Sequence, residues 1–436
     1  MNKKLLLSIT AVLGAAALAL SGCASGGGGG GGDASGGGSA SDCVPEGGNA
    51  PRAGGDKYVV YMNSLNIGNA WQEAASNLGE AVAKMEPFAE CVEVRVEKSE
   101  GGDSQGQIGQ IQSMTAAGAD AIVLFAISPT AQNAAIRDAC AQGVTVVVYD
   151  ATVTEPCAYN VSYITGVPTG SDKPFMGYNA MNALADMLGG EGDIFVAHGQ
   201  AGTSVDNVHY LSALGALADY PDIKILTEWD GLWSSSVQQT EAAAALASFP
   251  NVDGMFCGYG ESGCVNALKA AGMEIPVTGE TSQAFRENIL AGWPGVSIGS
   301  PPSQGGIGMK VALAVLLQGP DGIPMDIEVP FPIVTAENIM ECGPEGEFIE
   351  GCNLFPTGLV GDEDTADIFN VMLPEATLES SQTGNPSAGV TAEPYTAAYL
   401  QGYEQAESRR FITRETCPDG WEPGMLPENV EGCVQA

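Results

Sequence analysis

Positive charge is scarce in this chain. Sixteen lysines and arginines stand against 53 aspartates and glutamates, a formal net charge of −37 over 436 residues. That balance excludes nucleic acid as a partner, because its phosphates would be repelled. It also excludes an anionic ligand unless the site is locally positive. The acid excess reads as a solubility device, suited to a salty medium, rather than as a docking surface. Histidine is scarcer still, with only His198 and His209. Gly260-Glu261-Ser262-Gly263-Cys264 nearly matches a Gly-x-Ser-x-Gly nucleophile elbow, but both histidines precede it. On that fold the base follows the nucleophile, so triad hydrolysis is excluded and no enzyme is expected. There is no CxxC pair, so no metal site is expected. The glycines of Gly199–Gly202 lack the spacing of a dinucleotide fingerprint, and no cofactor is expected.

Long apolar runs are lacking too. Leu5–Leu20 is short for a bilayer span, and it follows Lys3 and Lys4 as the apolar region of a signal peptide does. Leu20-Ser21-Gly22-Cys23 resembles the lipobox of bacterial lipoproteins, which implies that Cys23 is lipidated. The Gly/Ser tract that follows, through Ser41, cannot build a core and reads as a tether. Of eleven cysteines, ten remain once Cys23 is set aside, and an exported chain permits disulfides. Spacing alone leaves connectivity open. Neighbours in sequence would pair Cys43 with Cys91, Cys140 with Cys157, Cys257 with Cys264, Cys342 with Cys352, and Cys417 with Cys433.

What is abundant is a repeated strand–loop–helix unit. Tyr58–Met62 is apolar and β-branched, and it reads as a buried parallel strand. Asn63–Asn69 is rich in turn formers. Then Ala70, Trp71, Ala74, Ala75, Leu78, Ala81, Val82 and Met85 recur at helical spacing behind Asn69 as N-cap. Further strands are expected at Cys91–Glu97, Ala121–Phe125 and Val144–Tyr149, the last ending at Asp150, with helices between them. Short βα connections imply a doubly wound parallel sheet. After a change of character near Val161–Thr169 a second series begins. Its strands are Asp193–Ala197, Lys224–Glu228, Gly254–Cys257, Ile275–Thr278 and Val296–Gly299. Beyond Ile339 the alternation is lost, apart from a possible helix at Tyr395–Glu407.

These residues resemble the type I periplasmic-binding fold in its ribose-binding-like branch, sugar receptors for ABC transporters. The likeness runs from about Tyr58 to Val334. It is carried by the Asn63–Asn69 loop, by Val146–Asp150, by Gly199-Gln200-Ala201-Gly202-Thr203-Ser204, by Asp253–Glu261 and by Thr278-Gly279-Glu280. The chain departs from the family at Gly68-Asn69-Ala70, where Pro-Phe-Phe is usual, and at Asn207 and His209, where an arginine is usual. Glu280 replaces an aspartate, and Tyr259 and Glu261 replace Asn-Asp-Glu.

The resemblance implies two doubly wound α/β lobes with a disulfide-stapled C-terminal extension. The expected divisions are a signal peptide over 1–22, a lipidated tether over 23–55, lobe 1 over 56–164 and lobe 2 over 165–298. Residues 299–325 then return to lobe 1, residues 326–340 to lobe 2, and 341–436 form the extension. The implied ligand-binding set is Asn66, Asn69, Trp71, Asp150, Thr203, Asn207, His209, Tyr259, Glu261 and Glu280. A sugar needs an aromatic platform and side chains that engage two hydroxyls at once. Trp71 and Tyr259 serve as platforms, with Trp229 and Trp233 as further candidates. Asp150 has a competing reading as the cap of the next segment. The expected molecule is a monomer, lipid-anchored on the extracytoplasmic face, that closes on a neutral sugar or polyol and delivers it to a permease. A sensory module signalling to a membrane kinase, and a receptor for a cationic amine or nucleoside-like solute, stay open as alternatives.

Overall fold

The computed structural model describes residues 43–44, 50–162, 176–280, 282–329, 333–334, 373–395, 421–426 and 430–435. The first lobe begins β1 (Tyr58–Asn66), α1 (Ala70–Ala83), β2 (Val92–Glu100), α2 (Ser104–Ala116) and β3 (Ala121–Leu124). It continues α3 (Asn133–Ala141), β4 (Thr145–Tyr149) and β5 (Tyr159–Ser162). The second lobe runs α4 (Met176–Leu188), β6 (Glu191–His198), α5 (Ser204–Leu217), β7 (Asp222–Asp230) and α6 (Ser235–Ser248). It goes on through β8 (Gly254–Cys257), α7 (Glu261–Ala271), β9 (Val277–Glu280), α8 (Gln283–Leu290) and β10 (Gly295–Ile298). The chain then returns as α9 (Ser303–Gln318), which packs on α1, β3 and β4. β11 (Asp326–Glu328) joins the first sheet and β12 (Ile333–Val334) the second.

The two sheets have the orders β11-β5-β4-β3-β1-β2 and β12-β10-β9-β8-β6-β7. Every pairing in them is parallel except that of β12 with β10. In each sheet the winding direction reverses beside the first strand, between β1 and β3 and between β6 and β8. Crevices open at such points beyond the carboxyl ends of the strands. β3 and β8 are apolar and buried at every residue, as strands covered on both faces must be.

Asn69 does cap α1, accepting a hydrogen bond from the Gln72 amide at 2.8 Å. Asp150 caps nothing: no helix follows before β5, and its own φ is +62°. α8 is a helix absent from the sequence-based expectations, though Phe285 and Ile289 form a buried i, i+4 pair on it, and Ser282 starts it by accepting from the Phe285 amide at 3.3 Å. Three disulfides join Cys43 to Cys91, Cys140 to Cys157 and Cys257 to Cys264, as sequence neighbours would pair. Cys23, Cys342, Cys352, Cys417 and the side chain of Cys433 lie outside the described residues, as does most of Tyr395–Glu407.

α1 and α9 cross in close contact. A Cβ on Gly305 would lie 2.1 Å from the Ala75 carbonyl oxygen, so only glycine permits the approach. Residues 373–395 lie along this helix pair and include α10 (Leu378–Thr383). The Asn77 amide donates to the Ser381 carbonyl at 2.9 Å, and the Gln318 amide to the Tyr395 carbonyl at 2.6 Å. Lys310, 1% exposed, pairs with Glu375 at 2.7 Å and sits 4.2 Å from the centre of the Tyr395 ring. The hairpin β13 (Trp421–Leu426) and β14 (Val430–Gln435) forms a separate antiparallel sheet.

Removing one partner of a buried ion pair strands the other charge in the core. A Glu375→Ala variant is expected to lose about 3–5 kcal/mol of unfolding free energy, read from urea denaturation. A loss below about 1 kcal/mol would place this pair with exposed ones instead.

Candidate functional site

Loops at the carboxyl ends of both sheets surround a half-open cleft lined by Asn69, Trp71, Gln72, Phe125, Asp150, Val205, Trp233, Tyr259 and Glu280, with about 260 Å³ of free space when the part open to solvent is included. Lobe 1 contributes the first turn of α1 and the ends of β3 and β4. Lobe 2 contributes the start of α5, the loops after β7 and β8, and the end of β9.

Asp150 is held from one side. Its Oδ1 accepts from the Ser300 hydroxyl and from the Gln304 amide, each at 2.8 Å. Its backbone amide donates to Val161, and its carbonyl accepts from the Ser162 hydroxyl. Oδ2 has no hydrogen-bond partner among the described residues. Ser300 also fixes Trp71, whose indole N–H donates to its carbonyl at 2.5 Å. Sequence reasoning missed Ser300 and Gln304, because they lie 150 residues and more beyond Asp150 and carry no local pattern.

Trp233 lines the cavity although Trp71 was the favoured platform. Leu232 and Trp233 take φ of +54° and +53°, a left-handed turn that projects the indole inward. The ring packs edge-on to Phe125 with centroids 5.8 Å apart. A Cβ on Gly199 would lie 1.9 Å from the Trp233 indole nitrogen, so the glycine-rich loop after β6 admits this ring. Trp229 faces elsewhere, donating to Gln238 at 2.7 Å and packing on Phe195. Gln72, Phe125 and Val205 are further lining residues that the sequence did not single out.

Five residues of the sequence-derived set therefore meet at the cavity: Asn69, Trp71, Asp150, Tyr259 and Glu280. The other five are placed outside its lining. Asn66 is exposed and donates to the Glu100 carboxylate at 3.0 Å. Thr203 caps α5 by accepting from the Asp206 amide at 3.1 Å, and the Asn207 side chain donates to the Thr203 carbonyl at 2.6 Å. His209 is buried beneath α4, and burial lowers its pKa to about 3, so it is neutral. Glu261 lies behind Glu280, bonded by the Gly260 amide at 3.2 Å and the Ser282 hydroxyl at 3.3 Å. The Ser262 hydroxyl of the elbow-like segment is paired with that of Ser235 at 3.1 Å, and Cys264 is in a disulfide.

Burial dominates the electrostatics. It raises the Asp150 carboxyl from 3.8 to about 7, against the pull of the Ser300 and Gln304 hydrogen bonds. Glu280 is held well above the usual range by burial and by the neighbouring charges of Asp150 and Asp206. Glu261 is raised by burial and by Glu280. Acceptors on two facing strands thus converge on one aromatic-walled space, which suits hydroxyl and other donors.

A family model described as a periplasmic binding protein domain matches residues 59–320. The chain is similar to the xylitol-binding protein of Mycolicibacterium smegmatis, with 25% identity over 290 residues, 64% of this chain and 80% of the relative. Among solved structures it is similar to an ABC transporter solute binding protein from Thermobispora bispora DSM 43833. There the TM-score is 0.59 at 23% identity, covering 74% of this chain and 98% of the other. A periplasmic solute binding protein from Actinobacillus succinogenes 130z with bound D-allose gives a TM-score of 0.55 at 22% identity, covering 65% and 99%. At such identities the solved structures establish the fold.

Measured without ligand, the folded protein holds the Asp150 proton more tightly than the unfolded chain does. Its contribution to stability is complete below pH 3.8 and is lost as pH rises through about 7. Glu261 and Glu280 act in the same direction. Asp150→Asn keeps an acceptor for Ser300 and Gln304 but does not titrate. Its melting temperature is expected to fall less than that of the wild type across this window. Equally steep profiles from thermal melts would show that Asp150 is not the titrating group.

Proposed function

The chain belongs to the periplasmic binding protein domain family, and from that premise we propose that it is a solute receptor for a sugar or polyol, delivering it to an ABC transporter permease. The observation that carries this reading is the pairing of rings with carboxylates at one cavity. Trp71, Phe125, Trp233 and Tyr259 offer flat faces to the C–H side of a carbon skeleton. Asp150 and Glu280, one from each lobe, offer acceptors to its hydroxyls. The names of the relatives, xylitol-binding and D-allose-bound, agree with a polyhydroxylated solute. A ligand that spans both lobes binds a closed arrangement better than an open one, which is how such a receptor reports its state to a permease.

The screen that tests this is thermal shift against sugars, polyols, nucleosides and amino acids, followed by calorimetric titration. For the solute identified, Asp150→Ala is expected to weaken binding at least about tenfold, as loss of a charged hydrogen-bond partner does. Trp71→Ala should weaken it as well. Unchanged affinity in both variants would remove the cavity from the reading.

We also propose that Cys23 is lipidated and holds the receptor at the membrane on its extracytoplasmic face, with the Gly/Ser tract as tether. No helix of the described residues is long and apolar enough to cross a membrane, and none is required. Cys23→Ser is expected to leave the membrane fraction and to take up no labelled acyl chain. Wild-type lipid labelling of that variant would refute the anchor.

A further inference from the structure

The charge inside the cleft is one-sided. Among the described residues, the cavity lining holds two carboxylates and no lysine, arginine or histidine. Glu280 is 9% exposed, and its carboxylate has no hydrogen-bond partner among the described residues. Asp150 satisfies only Oδ1 through Ser300 and Gln304. Behind the lining, Asp206 accepts from the Gly199 amide at 2.6 Å and adds a third negative group. The buried cation in this region, Arg286, does not line the cavity; it acts on Glu261 and on the lining residue Tyr259. The lining groups from the first turn of α1 and the end of β3, namely Asn69, Trp71, Gln72 and Phe125, are neutral.

From this imbalance we infer that the solute carries a protonated amine as well as hydroxyls, an amino sugar or an amino alditol. The inference rests on the reading of the cleft as a site for a polyhydroxylated solute and deepens it. A neutral polyol would fit the rings, but it would leave Asp150 and Glu280 facing one another across a drying cavity. Burying like charges without a counter-charge is unfavourable, and the pair must then keep a proton. An ammonium placed between them offsets both carboxylates, and its remaining faces lie against Trp71, Phe125, Trp233 and Tyr259. Ring faces attract cations, the more so where water is excluded. The rings thus serve both the carbon skeleton and the charge.

Proton linkage distinguishes the two kinds of solute. The groups that bear on it are Asp150 just after β4, Glu280 on β9, Asp206 on α5 and Glu261 on α7, with Arg286 on α8 behind them and Tyr149 and Tyr259 alongside. Without ligand, burial lifts the Asp150 carboxyl to about 7 and, with the nearby acidic charges, holds that of Glu280 well above the usual carboxylate range. An ammonium returns both to the ionised form, so its binding at pH 7 releases protons and tightens as pH rises from 5 to 8. A neutral polyol is instead served by a protonated acid that donates, and its affinity stays level or falls over that range.

The experiment is calorimetry on the full chain with matched pairs: aminodeoxyhexoses against the parent hexoses, and aminodeoxyalditols against the parent alditols. Each is run in buffers of different ionisation enthalpy at several pH values. The expected result is one amine that binds at least about tenfold more tightly than its parent, with proton release at pH 7. In Glu280→Gln, checked for a retained thermal transition, that ratio should fall towards one. A parent sugar or alditol that binds as tightly as its amine, without proton release, overturns the inference and leaves the polyhydroxylated reading standing. If no member of any pair binds while polyamines lacking hydroxyls do, both are overturned.

Discussion

The interaction on which the binding site depends is the capture of one buried carboxylate oxygen. Asp150 Oδ1 takes hydrogen bonds from Ser300 and Gln304, and the Ser300 carbonyl takes the Trp71 indole. Three stretches far apart in sequence meet there: the helix after β1, the end of β4, and the segment that returns from the second lobe. The return is possible because α9 comes close enough to α1 for Gly305 to touch the Ala75 carbonyl. Asp150 itself sits at φ +62°, a conformation that aspartate tolerates better than most residues, which turns its side chain off the strand line.

That arrangement gives the two lobes unequal roles. In lobe 1, Asp150 and Trp71 are fixed by neighbours before any solute arrives, so little freedom is left to lose on binding. In lobe 2, Glu280 lacks such support among the described residues, and the rings of Trp233 and Tyr259 stand on loops after β7 and β8. The Tyr259 loop lies between the two cysteines of the Cys257–Cys264 disulfide, which limits how far it moves. A site preformed in one half and completed by the other is suited to a receptor whose closure depends on ligand, because most of the differential contact is made only when the halves meet.

The fold was legible because buried parallel strands leave short apolar runs that end abruptly in polar residues. Those ends carry Asp150 and Glu280, which line the cavity, and so do Asn69 and Trp71 at the capped start of α1. The site on α5 was less legible. Its start carries Thr203, Asn207 and His209, all polar and all read as contacts, yet the residue that lines the cavity is Val205. Successive helical residues turn by about 100°, so Val205 points away from both Thr203 and Asn207, and the apolar residue wins the cavity face. His209 lies on the side of Val205 but a turn deeper, under α4. Trp233 was undervalued for a different reason. Two consecutive left-handed residues aim it, and Leu-Trp is not a sequence that announces such a turn. Glu261 opens a helix as expected, but its carboxylate folds back onto Gly260 and Ser282.

The segment over residues 373–395 lies outside the matched family region, and its acidic, Gly/Pro-rich surroundings gave no hint of where it would rest. It has too little apolar surface to pack alone. Its attachment joins a few buried apolar side chains, Leu373, Ala392 and Tyr395, to specific polar contacts: Glu375 on Lys310, Ser381 on Asn77, the Tyr395 carbonyl on Gln318, and the Ala392 amide on the Glu86 carbonyl. Lys310 gives this attachment its energetic weight. A lysine within an otherwise apolar face of α9 would oppose folding if left unpaired, so Glu375 and the Tyr395 ring are needed for that face to be buried. The helices so braced are α1 and α9. Their N-terminal ends carry Trp71 and Gln304, with Ser300 just before α9. The segment therefore clamps from behind the same helix pair that fixes Asp150 in front, although none of its residues lines the cavity.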